Sequence, residues 1–185
     1  MDTTYISLVS VCIGWSLSQL TELIKNKLKK SKIKNAVKCE IKDIGSIISG
    51  ARNSALKAAK SYGKNGNFGF SLAGHIELPI TEKYYTEIFA LFNESQRKNY
   101  RMLLKHLDLY NQTVDSFNKE RDGKFTQDLI IHKLFNAYKN LAFACVFINS
   151  LTNDEIIDEH HPKLVMLRKR FKKQVSTLAL SFIQG

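Results

Sequence analysis

Arg101 and His106 lie five residues apart in a stretch patterned as a helix, a guanidinium to hold charge beside an imidazole to move a proton. Histidine changes charge near neutral pH, which makes it the first candidate for general acid or base work. On a regular helix five residues turn through about 140°, so the two share a face only at a kink or across a dimer. Without that geometry Arg101 is a solvated charge and His106 a flank of the core. A second cluster, residues 153–162, gathers Asp154, Glu155, Asp158 and Glu159 with His160 and His161. If helical, it sets Asp154, Asp158 and His161 on one face, a spacing compatible with a metal ion. No second carboxylate and histidine motif completes a two-metal bundle site, and acids at a helix start suit the macrodipole, so neither metal nor cofactor is expected. Nucleophilic catalysis finds no parts either. The chain lacks G-x-S-x-G, and Cys12, Cys39 and Cys145 show no paired spacing, the usage of a reducing compartment.

Charge supplies the next candidates. The net charge is +11 over 185 residues, and it is concentrated. Seven lysines fall in 25–38, where no acid occurs, and Lys163, Arg168, Lys169, Arg170, Lys172 and Lys173 form a second group. A basic helix face can meet RNA, DNA or lipid headgroups, but no aromatic stacking platform is interleaved with 163–173, and a charge run is most often a solvated face. Hydrophobic residues make up 44% of the chain, with eleven Phe and seven Tyr, which excludes a disordered chain.

These groups need elements to position them, and the pattern is helical from end to end. Residues 5–24, YISLVSVCIGWSLSQLTELI, make an apolar helix about 30 Å long, the thickness of a bilayer core. With lysines following it, the expectation is a transmembrane anchor over 1–24 in a bacterial inner membrane, N-terminus out and bulk cytoplasmic. Lys25, Lys27, Lys29 and Lys30 would then contact anionic headgroups of the lipid bilayer. Thr3, Ser7, Ser10, Gly14, Ser18 and Thr21 fall within an arc of about 80°, a small-residue stripe that would bring copies of the helix together as a homo-oligomer.

Residues 25–62 are expected as a basic, heptad-patterned continuation of that helix, with Val37, Ile41, Ile44, Ile48, Ala51, Ala55, Ala58 and Tyr62 at alternating spacings of four and three. The rod would be on the order of 80 Å long. Its alanines require a close neighbour, in the same chain or in a partner subunit, and Gly45 and Gly50 are the expected places for a bend. Residues 63–185 are expected as a helical bundle packed on 37–62. The glycine-rich 63–74 follows a helix instead of a strand, so it reads as an exposed connection and not as a phosphate loop. Thr81 is the expected cap of a helix over 82–92, and Asn93 caps another over 94–120, closed by Arg121-Asp122-Gly123. A third helix over 126–150, a brief acidic helix, and a last helix opened by Pro162 complete the set. The fold class is all-α: an N-terminal transmembrane helix continuing into a long helix, then an antiparallel bundle of about four helices.

Two resemblances bear on function. Arg101-x4-His106 inside a helical bundle resembles the catalytic signature of HEPN ribonucleases, although Met102 stands where a polar residue often follows the arginine. The resemblance implies that Arg101 and His106 of two subunits meet at a dimer interface and activate the RNA 2′-hydroxyl. The layout of IGWSLSQLTELIKNKLKKSKIKNAVKCEI, ELPITEKYYTEI and Leu103, Leu107, Tyr110 and Asn111 resembles small bacterial single-pass proteins with helical domains, and through them membrane effectors of antiphage systems. It implies a non-enzymatic protein that oligomerises through its anchor and binds a protein partner or signal through its bundle. A membrane-tethered ribonuclease and a basic nucleic-acid-binding module are the alternatives.

Overall fold

The computed structural model describes residues 3–65, 72–120, 127–153, 155, 157–158 and 160–183, with side chains over 9–60, 72–119, 129–153, 155, 157–158 and 160–173. Among them the chain forms six helices and no strand: α1 (Thr3–Asn65), α2 (Pro79–Lys83), α3 (Tyr85–Leu91), α4 (Glu94–Glu120), α5 (Gln127–Thr152) and α6 (Pro162–Ile183).

The hub is α5. Ile130, Leu134, Ala137, Leu141 and Ala144 are all buried to within 1% of full burial, and Tyr138, Ala142, Phe143 and Phe147 bury further sides of the same helix. A helix apolar on every side belongs in the middle. It packs against α1, α4 and α6. α1 and α5 run antiparallel, because Gly45 lies against Ile148, Ser49 against Cys145 and Ala58 in one cluster with Ile130 and Leu134. The small residues permit the approach: a Cβ added at Gly45 would stand 3.3 Å from Ile148 Cγ2. The heptad seam from Val37 to Ala58 is therefore satisfied inside the chain, with Ile48 fully buried. Tyr62 lies outside the described side chains, and α1 is one uninterrupted helix through both Gly45 and Gly50.

α4 begins as its sequence requires. Asn93 Oδ1 accepts the Gln96 N–H at 2.8 Å and Gln96 Oε1 accepts the Asn93 N–H at 3.1 Å, a reciprocal capping box. Its stripe of Tyr100, Leu103, Leu107, Tyr110, Val114 and Phe117 is buried, with Leu104 half-buried. The segment 72–78 is tied to α4 rather than to a strand partner. Asn111 accepts the Ile76 N–H and donates to the Ile76 carbonyl, and the Tyr110 hydroxyl donates to Ala73 O at 2.6 Å.

Four expectations need correction. No helix among the described residues is long and apolar enough to cross a membrane. Ser10, Ser16, Ser18, Gln19, Thr21 and Glu22 dilute the apolar run before Lys25 ends it, so the anchor over 1–24, its inner-membrane address and its N-terminus-out orientation are withdrawn. Thr81 does not cap a helix over 82–92. Pro79 starts α2, and Tyr84 separates α2 from α3. The buried Glu40 carboxylate of α1 takes the capping role instead, accepting the Ile80 N–H at 2.7 Å, the Thr81 N–H at 2.9 Å and the Thr81 hydroxyl. The brief acidic helix is also absent among the described residues of 153–161, where Asp158 Oδ1 accepts the His160 N–H two residues on, a local turn that competes with helix. Leu129, expected inward on α5, is exposed at 41%. Of the connection expected over 63–74, residues 63–65 continue α1 and 66–71 lie outside the described residues, as do the closure at 121–123, Asp154 and Glu159.

Candidate functional site

Two features stand out from the bundle, an uncovered length of α1 and a basic groove. Gly45 faces Ile148 and Ser49 faces Cys145, so α5 ends roughly level with Ile41. α2 and α3 cover α1 a little further, to Val37 and Ile33. Before Ile33, among the described residues, only Tyr84 comes near it, across a shallow hollow with Lys25, Leu28 and Lys29. Every residue from Val9 to Lys32 is exposed, an arm about 36 Å long. Nine large apolar side chains in 9–28 stand in the open, among them Trp15 at 67% and Leu17 at 58%. Ile13, Leu17, Leu20 and Ile24 recur at spacings of four, three and four, the pattern of a helix-pairing seam. Carried along α1 at 100° per residue, that seam projects about 140° from the mean direction of the buried residues Val37, Ile41, Ile44, Ile48, Ala51, Ala55 and Ala58. At the same 100° per residue Ser10 projects about 50° from the centre of that seam, Gly14 about 90° and Ser18 about 130°, whereas Ser7 is outside the described side chains. Lys25, Lys27, Lys29 and Lys30 are exposed along its base.

The groove runs where α4, α5 and α6 meet. A cavity of about 750 Å³ is lined by His132, Asn136 and Lys139 of α5, by His160, and by Arg168, Lys169 and Lys172 of α6 over a floor of Phe135, Phe143, Val165 and Phe171. A smaller cavity of about 200 Å³ shares Phe143 and Arg168 with it and adds Lys98, Lys105 and His106 of α4. The aromatic floor is built by contact across helices: Phe171 meets Phe135 edge-on at 5.5 Å and Phe143 at 5.8 Å. Sequence reading found the cations of 163–173 but not this platform, because its rings come mostly from α5, some thirty residues earlier. Only the three-dimensional register of α5 and α6 brings them together. The buried α5 aromatics, too rich for a helix with one covered face, were the available signal.

The structure separates Arg101 from His106. The Arg101 guanidinium lies 5.1 Å from the centre of the Phe89 ring on α3. His106 instead stacks on Phe143 at 5.0 Å and Phe147 at 5.8 Å, with Nδ1 3.2 Å from Asn140 Oδ1. Burial, with help from Lys105 and Lys139, lowers the His106 pKa, so the ring is neutral at pH 7. A neutral ring donating from Nδ1 to Asn140 keeps Nε2 as its basic nitrogen. Within one chain these two residues therefore form no acid and base pair. Among the described residues of the 153–162 cluster, Glu155 accepts from Lys163 Nζ at 2.7 Å and from His161 Nε2 at 3.1 Å, contacts that hold its pKa below the usual carboxylate range. No group of three metal-ligating side chains occurs among the described residues.

No family model, no curated protein and no solved structure matches this chain. The resemblances to HEPN ribonucleases and to small bacterial helical effectors accordingly rest on the residues and layout that suggested them.

Proposed function

We propose that this chain is a non-enzymatic helical protein that assembles with a second copy of itself through the exposed arm of α1, leaving the bundle to engage a further partner. The observation that carries it is the seam Ile13, Leu17, Leu20 and Ile24, exposed and turned away from the bundle. Apolar patches on this scale mark interaction surfaces. Burying four such side chains contributes roughly 6–12 kcal/mol per arm, enough to offset association costs of about 4–15 kcal/mol when two arms pair. Ser10, the nearest of the small residues to the centre of the seam, lets a facing backbone come close. Charge selects the geometry. Parallel arms would set Lys25, Lys27, Lys29 and Lys30 against their own copies, whereas antiparallel arms keep the two lysine groups apart by about the length of the paired segment.

The experiment is native mass measurement of the full chain beside a version beginning at Lys25. A dimer or higher species for the full chain and a folded monomer for the shortened one are expected. Equal masses would remove the arm as the assembly device. Ser10→Leu with Gly14→Leu and, separately, Leu17→Glu with Leu20→Glu identify the contacting face: the glutamates are expected to abolish assembly, and the leucines to weaken it only if the small residues lie at the contact.

A further inference from the structure

We propose that the hollow where the base of the arm meets Tyr84 is a binding site for a small ligand carrying two or three linked phosphates. Lys25, Lys29 and Lys32 line it together with Leu28, Ile33 and Tyr84, around a volume of about 440 Å³. At i, i+4 and i+7 on α1 the three lysines fall within an arc of about 60° and spread over about 10 Å of its axis. No carboxylate lines the hollow, and among the described residues no acid pairs with any of the three. Glu22, the nearest acid along the helix, stands outside the lining. Lys25 with Lys29, and Lys29 with Lys32, are therefore like-charge neighbours at helical spacings, an unfavourable arrangement that a bound anion relieves. Their spread calls for a row of negative groups instead of a single one.

The second wall singles out this side of α1. Lys27, Lys30 and Lys34 form another exposed triad on the same stretch of helix, projecting about 165° away, and they too have no acid partner among the described residues. That triad stands on a bare convex surface. Facing Lys25, Lys29 and Lys32 is Tyr84, the residue that separates α2 from α3, and a fourth cation, Lys83, has its Nζ 5.5 Å from the centre of the Tyr84 ring. A ligand in the hollow meets ammonium groups from α1, a half-buried ring from the junction of α2 and α3, and the exposed Leu28. Lysine binds phosphate as a point charge, so the lysines supply affinity and the ring and Leu28 supply shape. The volume is on the scale of a small-molecule site, and a row of about 10 Å is shorter than the roughly four or more nucleotides that a strand-binding site engages. The hollow projects about 120° around α1 from the seam of Ile13, Leu17, Leu20 and Ile24, so pairing of the arms leaves it open and the site does not rest on that pairing.

The test uses the full chain in about 0.15 M salt, with inorganic tripolyphosphate as the probe and two variants that lose equal charge. In one, Lys25, Lys29 and Lys32 become glutamine; in the other, Lys27, Lys30 and Lys34 do. The two triads project from opposite sides of a helix about 10–12 Å across, beyond the roughly 8 Å screening length at that salt, so each reports on its own side. By titration calorimetry, loss of Lys25, Lys29 and Lys32 is expected to weaken binding about tenfold, and loss of the opposite triad to leave it within about twofold of the parent. Tyr84→Ala should weaken binding with every lysine in place; unchanged binding would overturn the ring as part of the site. Equal losses in the two lysine variants would overturn the proposal by showing mere attraction of a basic helix for an anion. Orthophosphate binding as tightly as tripolyphosphate would overturn the requirement for linked phosphates. Binding confined to phosphatidylcholine vesicles that carry a phosphorylated inositol lipid, with none to free tripolyphosphate, would overturn the free ligand. Acetylation footprinting of the parent gives a readout that needs no variant: tripolyphosphate is expected to protect Lys25, Lys29 and Lys32 more than Lys27, Lys30 and Lys34, and uniform protection would contradict the assignment.

Discussion

α1 presents the same kind of pattern twice and receives two different fates. From Val37 to Ala58 an apolar seam recurs every three or four positions and each of its residues, Val37, Ile41, Ile44, Ile48, Ala51, Ala55 and Ala58, is buried. From Ile13 to Ile24 apolar residues recur in the same way and every one is exposed. Periodicity reports only that a helix has an apolar face; the partner is decided by where the neighbouring helix ends. α5 stops near the level of Ile41 and does not reach the arm. On the reading proposed above, the partner of the arm comes from outside its own bundle.

Substitution at matched positions of the two halves should separate them most. Ile48→Ala, at a fully buried site, is expected to cost about 2–5 kcal/mol in urea unfolding of the bundle. Leu17→Ala should leave bundle unfolding within about 0.5 kcal/mol while weakening assembly. Comparable losses at both sites would mean that the arm is part of the folding unit.

Alkali should destabilise the bundle through two buried tyrosines of α4. Burial pushes the Tyr100 and Tyr110 hydroxyls up to about 12 from an ordinary value near 10. Above pH 10 the unfolded chain gives up phenolic protons that the folded chain retains, so stability present below pH 10 is lost as pH rises toward 12. The expected slope is about 1.4 kcal/mol per pH unit for each tyrosine, measured as urea midpoints, and Tyr110→Phe should remove one share. A version lacking the arm should show the same slope; a changed one would tie the arm to the tyrosines' surroundings.

Two glycines give the smallest and finest comparison. Gly50 has open space where a Cβ would go, so Gly50→Ala should stabilise the bundle by about 1 kcal/mol through helix propensity. Gly45→Ala gains the same propensity but must displace Ile148, and its net benefit should be smaller, as thermal midpoints of the two variants would show.

Much of the bundle was legible in the residues themselves. The α4 boundaries, the Asn93 cap, the Pro162 start and the Val37–Ala58 seam follow from capping chemistry and periodicity, both local. What was not legible depended on contacts distant in sequence. Glu40 caps α2 from 40 residues away, so Thr81 looked like a cap when it is in fact one of the capped residues. The apolar run of 5–24 looked like an anchor because its length fits a bilayer, yet its serines, Gln19 and Glu22 leave it short of the required apolarity. The groove was invisible for the same reason, its cations spread over α4, α5 and α6 and its floor shared between α5 and α6.

The central claim is that the arm's exposed seam is where copies of this chain meet. Sedimentation equilibrium of the full chain at micromolar concentration, beside the Leu17→Glu and Leu20→Glu double variant, tests it most directly. A dimer or larger species for the parent, and a monomer with unchanged helical content for the variant, are the predicted results. A parent that sediments as a monomer of 21.1 kDa, or a variant that assembles equally well, would contradict it.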